Sequence, residues 1–228
     1  MRHSAKSPLP HISPLLTPLM YRLLGDIVLQ QYFRYLEVHG QEQVPKSGPV
    51  ILAPTHRSRW DALIIPYVTG RRVSGRDLYY MVSHDEMLGL QGWVIGHCGG
   101  FAVNTQAPAV SALRTGVELL RRGQALVVFP EGNIFRDRQI HPLKPGLARL
   151  ALQAARRCEE AIQIVPILLD YAQPYPQWGS DVKVIIGAPL STGNYDLICP
   201  KSAAQQLIGD LFGALQQLQE GRSLLCLT

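Results

Sequence analysis

Several short runs in this chain of 228 residues are apolar almost from end to end, and they constrain its fold more than any other feature. Val50–Leu52, Ala125–Phe129 and Ile162–Leu169 show little of the polar alternation expected of a strand with one wet face. A strand covered on both faces needs no such alternation, and that arrangement is characteristic of parallel sheets. Stretches of helical period lie between these runs. Asp61–Thr69 is closed by Gly70, Ala109–Arg122 by Gly123, and Pro145–Arg157 and Ser202–Gln219 follow. Further strands are expected at Leu78–Val82, Phe101–Val103 and Val182–Ile186, with a short helix near Asp85–Leu90. The expected class is α/β: a mostly parallel central sheet with helices on both faces.

Residues 1–17, rich in proline, are expected to be a flexible N-terminus, and 18–228 a single domain. Within it, 18–38 reads as an amphipathic helix with a polar stripe at Arg22, Asp26, Gln30 and Arg34. Its wide apolar arc suits packing on the core, contact with a membrane interface, or both.

Charged residues are 17% and hydrophobic residues 46%, which is apolar for a soluble chain and too polar for one that spans a bilayer many times. The net charge of +5 favours an anionic partner. Lys and Arg never run beyond two in a row and no nucleic-acid motif is present, so no nucleic acid is expected and an anionic membrane surface is. Cys98, Cys158, Cys199 and Cys226 have neither metal-knuckle nor redox spacing, which suits reduced thiols and a cytoplasmic, peripherally membrane-associated protein. No secretory signal and no spanning helix is expected. The seven histidines show no paired ligand spacing, so no metal site is expected either.

The apolar run at Val50 leads into Thr55-His56-Arg57-Ser58-Arg59-Trp60-Asp61, which reads as strand, loop and helix start. Ser58 and Asp61 have capping-box spacing, with Ser58 as N-cap and Asp61 as N3. His56 then lies in the loop and can fold back onto Asp61. A carboxylate on one ring nitrogen fixes the tautomer and raises the basicity of the other, making His56 a candidate general base and Asp61 its orienter. Spacing alone leaves a second reading, in which Asp61 only caps a helix. No Gly-x-Ser-x-Gly elbow is present, so a serine-hydrolase triad is a poor competitor.

A second strand-to-loop stretch, Val127-Val128-Phe129-Pro130-Glu131-Gly132, precedes Arg136, Arg138 and Lys144. His-x4-Asp followed by Phe-Pro-Glu-Gly, with Gly99–Asn104 between them and Val165-Pro166-Ile167 after, resembles the glycerolipid acyltransferase family. Over roughly residues 35–190 the resemblance is greatest to its bacterial 1-acylglycerol-3-phosphate acyltransferases.

That resemblance implies transfer of a fatty acyl group from an acyl-CoA or acyl carrier protein thioester to the hydroxyl of 1-acyl-sn-glycerol-3-phosphate. The thioester is a co-substrate and no cofactor is implied. It places Phe129–Gly132 at the border of the acceptor site, with Glu131 ordering the loop or bonding the acceptor and Gly132 in a turn. Arg136 and Lys144 are candidate ligands for an acceptor phosphate, with Arg138, Arg57 and Arg59 as further cations. Two departures remove positive charge the family commonly has: Ile134 stands two residues after the glycine, and Thr105 follows Asn104. They leave open another lipid alcohol (a lysophospholipid, glycolipid or carotenoid hydroxyl) or a non-catalytic lipid-binding protein on the same fold.

Overall fold

The computed structural model describes residues 9–103 and 110–225. Strand β2, Val50–Pro54, is buried along its whole length and lies at the centre of the sheet. It pairs in parallel with β5, Ala125–Val127, on one side and β6, Gln163–Tyr171, on the other. Beyond β5 come β3, Leu78–Ser83, and β4, Gly100–Val103, also parallel. Beyond β6 come β7, Ser180–Ile186, antiparallel to β6, and β1, Phe33–His39, parallel to β7. A short β8, Leu190–Ser191, also pairs antiparallel with β6. The run β6-β2-β5-β3-β4 therefore shares one direction, and the expected mostly parallel sheet is present.

Alternation along β2 divides the interior in two. Ile51 and Ala53 point into one core, and Val50 and Leu52 into the other. The first core is covered by three helices, Val110–Arg121, Gly146–Ala155 and Pro200–Leu225 (α4, α5 and α6), through residues such as Leu120, Leu150 and Leu211. The second is covered by helix α1, residues 16–32, and by α2, Asp61–Thr69, through Leu29, Ile64 and Val68. Gly123, at φ +68°, ends α4 where its periodicity stops.

Three expectations are corrected. Helix α1 ends at Tyr32 instead of Val38, because Phe33–His39 finds backbone partners on β7. Arg34 accordingly does not extend the helical polar stripe and forms a two-pronged ion pair with Asp181 on β7. The segment before the helix, expected to be flexible, is tied down from Ile12: that residue bridges to Cys98, and Ser13 N–H and the Thr17 hydroxyl both donate to the His97 carbonyl. They satisfy a carbonyl left over at the end of α3, Gly89–His97. The helix expected near Asp85–Leu90 is instead a short turn, His84–Met87, followed by α3. Residues 1–8, Asn104, Thr105 and Cys226 lie outside the described residues.

The outward surface of α1 carries an apolar row beside its exposed polar residues. Leu15, Leu19, Leu23 and Ile27 recur every four residues and are 84, 57, 42 and 55% exposed. Two members of the polar stripe bond to side chains near α2 at the surface, Asp26 to Arg72 and Gln30 to the Tyr67 hydroxyl.

Candidate active site

The carboxyl ends of β2, β5 and β6 meet at one edge of the sheet, and two loops rise from it. The first, residues 55–60, is rooted by Thr55, fully buried, whose N–H donates to the Ile167 carbonyl and whose hydroxyl accepts from Leu169 N–H. Helix α2 starts directly after it with Asp61 as its first residue and Trp60 as N-cap.

Ser58 is therefore not the N-cap that the spacing suggested. Its hydroxyl accepts from Trp60 N–H at 3.3 Å, and Asp61 reaches backward into the loop instead. The Asp61 carboxylate is fully buried and accepts four hydrogen bonds. Oδ2 takes His56 Nδ1 at 2.9 Å, Arg57 N–H at 2.6 Å and Ser58 N–H at 2.9 Å. Oδ1 takes the Tyr171 hydroxyl at 2.6 Å. An ionised carboxylate only accepts, so Nδ1 must carry the proton and the lone pair of neutral His56 lies on Nε2. The imidazole stacks on Phe129, with centroids 4.0 Å apart and planes 22° apart, and stays 19% exposed. Nε2 has no protein partner among the described residues. A ring held by a carboxylate on one side and an aromatic face on the other presents a single basic atom outward.

The second loop, residues 128–145, clasps the first through Glu131. Its fully buried carboxylate accepts from His56 N–H at 2.8 Å and from both terminal nitrogens of Arg57, at 2.8 and 3.1 Å. His141 N–H completes the set at 3.0 Å. Arg57 spends further donors on the carbonyls of His56 and Gln139. Phe135 N–H returns to the His56 carbonyl at 2.8 Å. Of the two roles the sequence suggested for Glu131, this geometry supplies loop ordering, since all four donors belong to the protein and neither oxygen faces solvent. Arg57, a candidate for an anionic ligand, is spent in the same clasp.

The remaining cations are arranged differently. Gly132, at φ +71°, lies under the end of the Lys144 side chain, and its left-handed backbone is what favours glycine in this turn. Lys144 makes no ion pair among the described residues. Arg136 stacks 4.7 Å above the Tyr175 ring. Arg138 is engaged with Asp170 and with the carbonyls of Tyr171 and Ala172. Arg59 is exposed and paired with Glu86 at 3.0 Å. A cleft of about 540 Å³ opens beside the clasp, walled by Arg57, Arg136, Arg138, Leu168, Asp170 and Tyr171. A larger cleft, about 860 Å³, lies at the opposite edge of the sheet around Lys46, Arg76 and Gln124. The smaller one adjoins the His56 and Glu131 loops and is the relevant one here, despite its size.

Tyr171 and Phe129 were not singled out from the sequence as partners of this pair. For Tyr171 a signal existed: alternation along β6 puts Val165, Ile167, Leu169 and Tyr171 on the face that α2 covers.

A family model described as Acyltransferase matches residues 35–170. The chain is 24% identical over 193 residues to the chloroplastic 1-acyl-sn-glycerol-3-phosphate acyltransferase BAT2 of Brassica napus, covering 79% of this chain and 52% of that protein. It is 25% identical over 160 residues to the 1-acyl-sn-glycerol-3-phosphate acyltransferase of Streptococcus pneumoniae, covering 64% and 58%. To the protein of the same name from Bacillus subtilis it is 24% identical over 204 residues, covering 80% and 91%. The chain thus spans little more than half the length of the first two relatives and most of the third. In fold it is similar to the crystal structure of the 1-acyl-sn-glycerophosphate (LPA) acyltransferase, PlsC, from Thermotoga maritima, with a TM-score of 0.65 at 18% identity over 90% of this chain and 79% of that one.

Proposed function

The chain belongs to the acyltransferase family, and from that premise we propose that it moves a fatty acyl group from an acyl-CoA or acyl carrier protein thioester to the hydroxyl of 1-acyl-sn-glycerol-3-phosphate, giving phosphatidic acid. The observation that carries this reading is the His56–Asp61 pair, with one imidazole nitrogen bonded to a buried carboxylate and the other open. His56 Nε2 takes the proton from the acceptor hydroxyl as its oxygen attacks the thioester carbonyl. The tetrahedral intermediate then collapses, the C–S bond breaks, and the thiolate leaves with the proton His56 had taken. Asp61 stabilises the imidazolium between the two transfers. No covalent enzyme intermediate is required.

Thiol release from an acyl thioester, with a panel of acceptors including lysophosphatidate, tests the reading. Release that depends on lysophosphatidate supports it. Release with another lipid alcohol keeps the chemistry and changes the acceptor, an outcome favoured by the neutral Ile134 where a cation would suit a phosphate. Liposome binding with no thiol release would favour a lipid-binding protein.

Lys144 is the cation best placed to hold an acceptor phosphate, since no described carboxylate neutralises it and it lies over the turn next to Glu131. Lys144→Ala should raise KM for lysophosphatidate about five- to tenfold with kcat within about twofold, the signature of lost uniform binding. An unchanged KM in steady-state kinetics would remove Lys144 from the acceptor site, with Arg136 the next cation to test.

The partner surface is an anionic membrane, which α1 meets with its exposed leucines. No helix among the described residues is long and apolar enough to cross a membrane. Exposed apolar side chains at i, i+4, i+8 and i+12 instead suit a helix lying in the interface. Replacing Leu19 and Leu23 with aspartate should lower partition onto anionic vesicles by about tenfold or more, given roughly 1.5–3 kcal/mol for each fully buried leucine. Co-sedimentation equal to wild type would locate the membrane contact elsewhere.

A further inference from the structure

One oxygen of Asp61 accepts three N–H donors from residues 56–58, and the other has a single partner, Tyr171. That partner comes from a different part of the chain, 110 residues away, at the last position of β6. The tyrosine is itself firmly placed. Its backbone is in register with Val182 on β7, its carbonyl accepts from Arg138, and its ring lies against Phe33, with centroids 6.1 Å apart. Burial first, and the Asp61 carboxylate second, push its hydroxyl well above the ordinary tyrosine value, so the hydroxyl stays a donor throughout any working pH.

A carboxylate can turn about its Cβ–Cγ bond, and turning Asp61 would exchange the oxygen that His56 meets. An O–H···O⁻ bond of 2.6 Å is in the range of strong charge-assisted bonds and fixes that torsion. It also draws negative charge toward Oδ1 and away from the imidazole. We propose that Tyr171 is a positioning residue for acyl transfer, orienting Asp61 and setting how strongly that carboxylate holds the proton on His56. The inference rests on His56 acting as the base. The other charged or titratable groups near the pair are Arg57 and Glu131 of the clasp, paired with each other, and Tyr32 at the end of α1, near Tyr171.

The sign of the effect follows from the bond. Without the Tyr171 hydroxyl, more of the Asp61 charge falls on His56, the imidazolium is stabilised, and the neutral base appears only at higher pH. Tyr171→Phe should lower kcat by about tenfold with KM for both substrates within about twofold, and move the acid limb of kcat/KM upward by about half a pH unit or more. Replacing Tyr171 by 3-fluorotyrosine makes the hydroxyl a better donor at nearly constant shape, and the same limb should move downward. The measurement is thiol release from an acyl-CoA with lysophosphatidate across pH, using the full-length chain.

A folded Tyr171→Phe enzyme with wild-type kcat and an unmoved acid limb would overturn the proposal. If that variant does not fold, an unmoved limb in the fluorotyrosine enzyme would overturn it instead, because a purely structural tyrosine shifts neither limb. His56→Ala assayed alongside separates the two levels. If it is inactive while Tyr171→Phe is normal, only the role of Tyr171 fails; if it retains turnover, the base assignment beneath it fails.

Discussion

His56→Ala is expected to lower turnover by about 10²- to 10⁴-fold, the range for removal of a positioned general base, while the protein stays folded. The imidazole is the least buried member of its network, and its removal leaves Asp61 with three donors: Arg57 N–H, Ser58 N–H and the Tyr171 hydroxyl. No buried charge is orphaned, so the thermal midpoint should move by no more than a few degrees, consistent with about 1 kcal/mol for one hydrogen bond in a chain of this size. Circular dichroism melts beside thiol-release kinetics check both halves. A variant that keeps near-normal turnover would remove His56 from the chemistry, and an inactive variant that is also unfolded would leave no evidence for a base.

Glu131→Gln should fail in the opposite pattern, losing stability and activity together. Arg57 is almost completely buried and Glu131 is its counter-ion in two parallel bonds. Neutralising the carboxylate leaves a guanidinium in the interior without compensation, a change that costs about 3–5 kcal/mol. For a chain of this length that is a fall of roughly 6–20 °C in the thermal midpoint. The same carboxylate accepts from His56 N–H, so the loop carrying the base loses an anchor and kcat falls as well. Replacing the pair with Arg57→Met and Glu131→Leu separates the effects. Stability should return in part, because an apolar pair of similar volume commonly replaces a buried ion pair at little cost, but activity should not, because the N–H groups of His56 and His141 then lack their acceptor. A double variant with restored turnover would show that the clasp serves stability alone.

Much of this site could be read from local sequence. Val50–Pro54 is apolar throughout and lies at the centre of the sheet, and the turn after it brings His56 back onto Asp61 because five residues of loop and first helical turn suffice for that contact. The cap chemistry was harder. Ser-x-x-Asp spacing suggests a capping box, but the His56 imidazole and two loop N–H groups compete for the same carboxylate, and the helix starts at Asp61 without a side-chain cap. The helical pattern also runs past the end of α1 for a related reason. Arg34 continues the four-residue polar spacing of the helix, and only the presence of β7 beside residues 33–39 makes a strand the better state. The same periodic segment was expected to have room for the core and a membrane on one wide apolar arc, and its outward leucines show which part of that arc the core leaves uncovered.

By itself, then, the sequence determined what depends on neighbours a few residues apart: the alternation of apolar strands with helices, the mostly parallel sheet, and the closeness of His56 to Asp61 that makes their pairing one of two readings. Only the tertiary structure decided what depends on strand order. Because β6 lies beside β2 and ends level with the His56 loop, Tyr171 meets an aspartate 110 residues before it. Because β5 lies on the other side, Glu131 closes on Arg57, 74 residues before it. Hydrogen bonds act over about 3 Å, and no local periodicity encodes which distant residues a sheet will bring within that reach.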